Sequence, residues 1–130
     1  MDILKKKYPE INTLKGDARE IKLSSNSFEI VFSNAVLEHV GSNEQQKDFI
    51  NECYRVSNKI VFIITPYRFF PIEMHTKIPL LHFLPKSIFR KILNFLGENF
   101  LSEEKNLNLL SEKDLKKICN KLKIKNYKIK

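Results

Sequence analysis

The chain has 130 residues, of which 42% are hydrophobic and 29% are charged, a balance typical of one globular domain and not of a disordered chain. No apolar run approaches the roughly 20 residues that a helix needs to cross a bilayer, and charges throughout residues 1–20 argue against a secretory signal. Cys53 and Cys119 lack metal-ligand spacing, so we expect free thiols in a reducing cytoplasm.

The formal net charge of +8 is concentrated in one half of the chain. Nine basic and nine acidic residues occur up to Pro66, whereas fourteen basic and six acidic residues follow from Tyr67 onward. Such an excess is typical either of lysines on solvated helix faces, which is the simpler interpretation, or of a surface that binds an anionic membrane or a nucleic acid. A nucleic-acid role ranks last, because the lysines are not interleaved with exposed aromatic residues as on a base-stacking surface.

The predicted elements before the first clear strand are weak. Residues 1–7 are short, polar and basic, and they are typical of a helix end or a ragged terminus that Pro9 interrupts. Residues 11–14 are a strand candidate that ends at the turn formed by residues 16–18. Residues 21–27 contain several turn formers, which predicts a loop.

A strand–helix–strand unit follows this loop. Residues 28–32 form a short apolar run rich in β-branched and aromatic residues, which predicts a buried strand. Gly41 ends the next segment, and Ser42 with Gln45 forms a capping box that starts a helix. Residues 59–65 are apolar on both faces, as in a central parallel strand. The order of elements predicts an α/β fold with a parallel sheet. The buried face of the helix is predicted to contain Phe49, Cys53 and Val56.

The segment from residue 67 to residue 97 is rich in proline and phenylalanine. Its prolines forbid a long regular helix before Pro85. The apolar residues between them predict either a lid packed over a binding site or a surface that faces a membrane. The remaining predictions are a helix at 86–96 closed by Gly97, a helix capped by Ser111 and Asp114, and a weak strand candidate at 124–130.

Polar and ionisable residues follow the first predicted strand at the sheet edge where open α/β sheets bind their ligands. Asn34 either positions a ligand through its amide or caps the following turn. Glu38 and His39 are candidates for a general base or a substrate-orienting pair, and the alternative is a histidine that caps a short helical turn. Glu73 and His75 have the same ambiguity, and two such residues do not identify a metal site, so none is predicted.

The stretch GDAREIKLSSNSFEIVFSNAVLEHV at residues 16–40 resembles the central part of class I S-adenosylmethionine-dependent methyltransferases of the type 11 subgroup. The strand–helix–strand unit that begins within this stretch and ends at Thr65-Pro66 is similar to the family's fourth strand, next helix and fifth strand. The segment FFPIEMHTKIPLLHFLP is similar to substrate-covering insertions of some members. The matching residues of the first stretch are Gly16, Asp17, Ala18, Ser27, Phe28 and Ser33 to Val40.

The resemblance implies a Rossmann-like fold with S-adenosylmethionine as cofactor. Asp17 would bind the adenine amino group, and the backbone of Ala18, next to Gly16, would face the ring. Glu38 and His39 would lie near the transferred methyl group. The methionine and adenosine side would be lined by Ser33, Asn34, Ala35 and Val36. The acceptor would be a small molecule or a lipid- or saccharide-linked compound, with His39 or His75 as the base for a hydroxyl acceptor.

The resemblance also implies that part of the family's sheet lies outside this sequence. The family's first strand carries a Gly-x-Gly loop, and its second ends in an acidic residue that binds the ribose; neither pattern occurs here. We therefore expect residues 1–130 to form a partial methyltransferase domain without the first two strands, in which residues 67–97 are a lid or substrate-covering insertion. A complete cofactor pocket would need the missing amino-terminal portion or a partner chain.

A second function of a different class remains open from the sequence. The basic second half and the apolar face predicted at 86–96 are also typical of a non-catalytic module that binds an anionic membrane surface or a partner protein. The expected location is cytoplasmic, with peripheral membrane contact through residues 67–97 as an alternative.

Overall fold

The computed structural model describes residues 2–72 and 75–130, and for Asp2 and Leu4 it describes the backbone alone. Two parallel strands and several helices form the α/β fold that the sequence predicts. Short 3-10 turns occur at Leu37–His39 and Leu81–Phe83. The helices and strands in chain order are α1 (Asp2–Lys7), β1 (Phe28–Asn34), α2 (Asn43–Val56), β2 (Ser57–Ile64), α3 (Lys86–Phe95), α4 (Asn99–Ser102) and α5 (Glu112–Lys121).

Helix α2 connects β1 to β2, which confirms the predicted strand–helix–strand unit. The hydroxyl of Ser42 accepts a hydrogen bond from the backbone N–H of Gln45. The side chain of Gln45 in turn accepts one from the backbone N–H of Ser42. The predicted capping box is therefore present. Gly41 precedes it with a φ of 112°, and an added Cβ there would collide with the side chain of Gln45. The three residues predicted for the buried face, Phe49, Cys53 and Val56, are all buried.

The sheet is parallel, and its register pairs Ile30 with Ile60 and Phe32 with Phe62. Side chains alternate between the two faces of a strand. One face packs against the core through Val31, Val61 and Ile63. The other face is between 46% and 64% exposed at Ile30, Phe32, Ile60, Phe62 and Ile64. The prediction that both strands are buried is therefore wrong for this face.

Two clusters of buried apolar residues form the core, and both draw on the segment 107–110. The first joins the sheet, α2 and α5, and the second lies under α3. Members of the first cluster are Leu37, Phe49, Ile50, Cys53, Leu110 and Ile118. Members of the second are Phe89, Leu93, Leu107 and Leu109.

Two strand candidates are wrong. Residues 11–14 and 124–130 have no regular structure, and Ile11 and Leu14 are 48% and 67% exposed. Near the first candidate there is only an isolated bridge between Asp17 and Glu20. A strand needs a neighbour to pair its backbone groups, and among the described residues the sheet contains β1 and β2 alone.

The later segments match their predictions more closely. The described residues of the range 67–80, which are 67–72 and 75–80, contain no regular helix. The backbone of Arg68 donates a hydrogen bond to Leu110. Helix α3 is followed by Gly97 with a φ of 84°, as predicted. Helix α5 begins with the predicted box of Ser111 and Asp114. The short α4 was not predicted. Among the described helices, none combines the length and apolar character needed to cross a membrane.

Candidate functional site

The loop after β1 brings a carboxylate into the interior. Ala35 adopts a left-handed φ of 51°, and its backbone N–H donates a hydrogen bond to Ile64 at the end of β2. The 3-10 turn that follows directs Leu37 and Glu38 inward, and both are fully buried. The carboxyl ends of the two parallel strands therefore meet around Glu38.

The two oxygens of Glu38 have different surroundings. Oε2 accepts a hydrogen bond of 2.9 Å from the hydroxyl of Thr65, the residue after β2. Oε1 lies 3.9 Å from Nε2 of His39. Although Oε1 is buried, it accepts no hydrogen bond from the described part of the chain. Buried polar atoms are nearly always paired, so this oxygen points to a group that the protein binds.

Two histidines meet beside this carboxylate. Nδ1 of His39 lies 2.6 Å from the carbonyl oxygen of Asn106, so Nδ1 carries a proton and donates it. In a neutral ring, Nε2 of His39 then has its lone pair available. This atom lies 3.1 Å from Nε2 of His75, with the two rings edge to face. Glu38, His39 and His75 are thus brought together by the fold, whereas Glu73 lies outside the described residues.

The residues predicted for the methionine and adenosine side continue from β1 into the loop. Ser33 is buried, and its hydroxyl has no hydrogen-bond partner among the described residues. Asn34 is exposed and, as the next residue of the strand, projects to the opposite face. Ala35 and Val36 are exposed in the loop. Ser33 therefore lies on the covered face of the sheet, the face of its strand partner Ile63, whereas Asn34, Ala35 and Val36 are the members of this set at the surface.

Asp17, predicted to bind adenine, pairs with Arg19. The guanidinium donates to both carboxylate oxygens and the Arg19 backbone donates to one. These hydrogen bonds from Arg19 lower the pKa of Asp17 to about 2. Ala18 packs against the first core cluster, and a Cβ added at Gly16 would meet open space. Because Arg19 already binds both carboxylate oxygens, an adenine at Asp17 would share the carboxylate with Arg19. Among the described residues, no hydrogen bond or ion pair joins Asp17 to residues 33–39.

Asn108 is a structural residue of the site that sequence reasoning missed. It is buried, and its backbone N–H donates to the carbonyl of Glu38 at 2.7 Å. Its amide donates to the carbonyl of Gly41 and accepts from Lys86. The buried amide of Gln46 donates to the carbonyls of Leu37 and Asn108. The available signal was one asparagine inside the apolar run 107–110, where a polar side chain needs buried partners.

A family model described as a methyltransferase domain, type 11, matches residues 1–64. Residues 1–64 of the chain are therefore similar to a class I methyltransferase domain of type 11. The matched part runs from α1 to the end of β2 and ends just before Thr65. Its two parallel strands and helices are consistent with part of a Rossmann-like methyltransferase fold. Comparisons with curated proteins and with solved structures gave no significant match.

Proposed function

We propose that this protein transfers a methyl group from S-adenosylmethionine to an acceptor bound beside Glu38, His39 and His75. The observation that carries the proposal is the convergence of these three ionisable side chains at the carboxyl ends of both parallel strands. That sheet edge is where open α/β folds bind their ligands. The methyltransferase match of the same strands supports the donor.

The cofactor would be held by the loop after β1 and by the turn that contains Asp17. Ser33 offers an unpaired hydroxyl and Asn34 an exposed amide, while Asp17 offers a carboxylate for the adenine amino group. When bound, the cofactor supplies an activated methyl group on a positively charged sulfur. The protein's task is then to align the acceptor with that methyl group, since positioning accounts for much of such catalysis. The other residues proposed to contact the cofactor are Gly16, Ala18, Ala35 and Val36.

The acceptor we propose has a hydroxyl, on a small molecule or on a lipid- or saccharide-linked compound. His39 is the candidate base, because the proton on Nδ1 is donated to Asn106 and Nε2 can accept the hydroxyl proton. Residues 67–97 would cover the acceptor as a lid. The support for this lid is that His75 belongs to the segment and contacts His39.

We further infer that tight cofactor binding needs additional polypeptide beside β1, from a longer chain or a partner. Among the described residues β1 pairs with β2 alone, so its other edge has no strand beside it. The apolar sheet face that includes Phe32 and Phe62 is also more than half exposed at these two residues. A pocket built on an unpaired edge loses the walls that a neighbouring strand supplies.

Isothermal titration with S-adenosylmethionine tests both the proposed cofactor site and the need for additional polypeptide beside β1. The 130-residue chain alone should bind more weakly than low-micromolar, and low-micromolar binding by a monomer would contradict the need for more polypeptide. In a chain extended at its amino end by the family's first two strands, Asp17→Ala should raise the dissociation constant about tenfold or more, through loss of a charged hydrogen bond.

The matched control for this titration is Arg19→Ala. That variant keeps the Asp17 carboxylate and removes its competing partner, so binding should be unchanged or tighter. Unchanged binding by Asp17→Ala in the extended chain would remove Asp17 from the cofactor site.

A second candidate function has one observation in its favour. The segment 67–97 and its surroundings expose large apolar side chains, among them Phe70 at 57% and Phe95 at 89%. Basic residues of α3 lie close by in sequence, which suits a contact with an anionic membrane. Flotation with anionic vesicles distinguishes the two functions: retention that high salt abolishes favours membrane binding, whereas no retention favours a lid over the acceptor.

A further inference from the structure

We infer that Glu38, His39 and His75 form a binding site for a divalent transition-metal cation such as Zn²⁺. One donor atom of each residue lies within 4.8 Å of the donor atoms of the other two. Nε2 of His39 is 3.1 Å from Nε2 of His75 and 3.9 Å from Oε1 of Glu38. Donors that share a tetrahedral Zn²⁺ ion at its usual bond lengths lie about 3.4 Å apart. Small side-chain rotations would therefore suffice to surround the ion.

The orientation of His39 is already that of a metal ligand. Metal-binding histidines nearly always donate the N–H of the other ring nitrogen to a carbonyl or carboxylate, which fixes the tautomer and the ring plane. Here Nδ1 donates to the carbonyl of Asn106 at 2.6 Å, and Nε2 faces the other two donors. The segment around Asn106 is in turn attached to the loop through the hydrogen bond from Asn108 to Glu38.

The carboxylate provides an independent second observation. Glu38 is fully buried, and the hydroxyl of Thr65 holds Oε2. Oε1 has no hydrogen-bond partner among the described residues and lies on the side of His39. Burying a carboxylate oxygen without a partner is costly, and a cation between the three donors would provide the missing interaction.

The donor set selects the class of ion. Two imidazoles and one carboxylate suit Zn²⁺ and its transition-metal neighbours, whereas Mg²⁺ and Ca²⁺ prefer sites made of oxygen. Three protein donors leave a fourth position open, as in catalytic zinc sites. The side chain of His39 is 38% exposed, so the cluster lies at the surface on the side of this residue.

The site changes the roles of the histidines in the proposed reaction. A bound cation would coordinate the acceptor oxygen and lower the pKa of its hydroxyl, so that the proton leaves to solvent, and both imidazoles would serve as ligands and not as bases. This role rests on the proposed methyl transfer, but binding of the cation does not. No regular sequence spacing predicts the site, because His75 lies 36 positions after His39 in the chain.

Titration of the metal-free 130-residue chain with Zn²⁺ and with Co²⁺ tests the inference. We expect one equivalent of cation to bind. Bound Co²⁺ should show the visible absorption of a four-coordinate site. His75→Ala and His39→Ala should each raise the dissociation constant about 100-fold or more, since even residues that only orient ligands contribute 10- to 100-fold. Circular dichroism verifies that each variant folds.

Two further variants make the test specific. Glu38→Gln preserves side-chain volume while removing the charge, and it should weaken binding as the histidine variants do. Asp48→Asn changes an exposed carboxylate of α2 outside the cluster, and it should leave the dissociation constant unchanged. If Glu38→Gln does not fold, the two histidine variants are sufficient to test the metal site.

Several outcomes separate this inference from the proposed function. The metal site would be overturned if the wild-type chain failed to take up Zn²⁺. It would also be overturned if both histidine variants bound Zn²⁺ as tightly as the wild-type chain does. A chain that binds S-adenosylmethionine without taking up Zn²⁺ overturns the metal site and leaves the methyltransferase proposal intact. A chain that binds one equivalent of Zn²⁺ through the three residues supports the site even if no methyl transfer is found.

Discussion

At the scale of single residues, buried polar side chains hold the candidate site together. Asn108 is 1% exposed and connects three parts of the chain: the turn at Glu38, the start of α2 near Gly41, and Lys86 at the start of α3. Burial lowers the pKa of the Lys86 ammonium, whose hydrogen bond to the Asn108 amide is 2.6 Å long. Satisfied networks of this kind specify one arrangement of the loops around them.

Replacing Asn108 with alanine should therefore be costly. The variant leaves the carbonyl of Gly41 and the ammonium of Lys86 without their buried partner, and we expect a loss of about 2–4 kcal/mol in the free energy of unfolding. Urea denaturation followed by circular dichroism measures it. Asn51→Ala on the exposed side of α2 is the control, with an expected change below about 0.5 kcal/mol. Equal effects of the two variants would contradict the role assigned to Asn108.

At the scale of elements, a capping box determines the start of a helix locally, whereas a strand-like pattern forms a strand only where another strand pairs with it. Both capping boxes, at Ser42 and Ser111, form as their sequences predict, because a capping box joins residues only three positions apart. The candidates at 11–14 and 124–130 have strand-like patterns without a strand beside them. A strand depends on distant residues for its hydrogen bonds, so its pattern alone does not determine its structure.

Ser42→Ala tests the contribution of one local signal. The substitution removes the acceptor for the backbone N–H of Gln45 and should lower the free energy of unfolding by about 1 kcal/mol. Ser87→Ala is the control, since Ser87 lies within the exposed first turn of α3 and does not cap it. A loss that is no larger for Ser42→Ala than for this control would show that the box contributes little.

At the scale of the whole molecule, the uneven covering of the sheet is the main feature. One face of β1 and β2 packs on α2 and the segment around Leu110, while the other presents a continuous row of exposed apolar side chains. Phe49 and Phe62 illustrate the contrast, because they are 3% and 53% exposed. An exposed apolar patch of this kind favours association with other surfaces.

Substituting these two phenylalanines compares the two environments directly. Phe49→Ala should lower the free energy of unfolding by about 3–5 kcal/mol, since it leaves a cavity in the first core cluster. Phe62→Ala removes the same side chain from a half-exposed position and should cost less than about 1 kcal/mol. Chemical denaturation of both variants provides the comparison. A loss at Phe62 as large as that at Phe49 would mean that another part of the protein covers this sheet face in solution.

The sequence by itself determined the α/β class, the order of strand, helix and strand, both capped helices and the family of residues 1–64. These features depend on residue types close together along the chain. Only the tertiary structure decided which sheet face is covered, that residues 11–14 form no strand, and that Asn108 is a buried connection. It also brought His75 to Glu38 and to His39, which lies 36 positions earlier in the chain. The physical reason is that such contacts depend on packing between distant segments, which local periodicity does not encode.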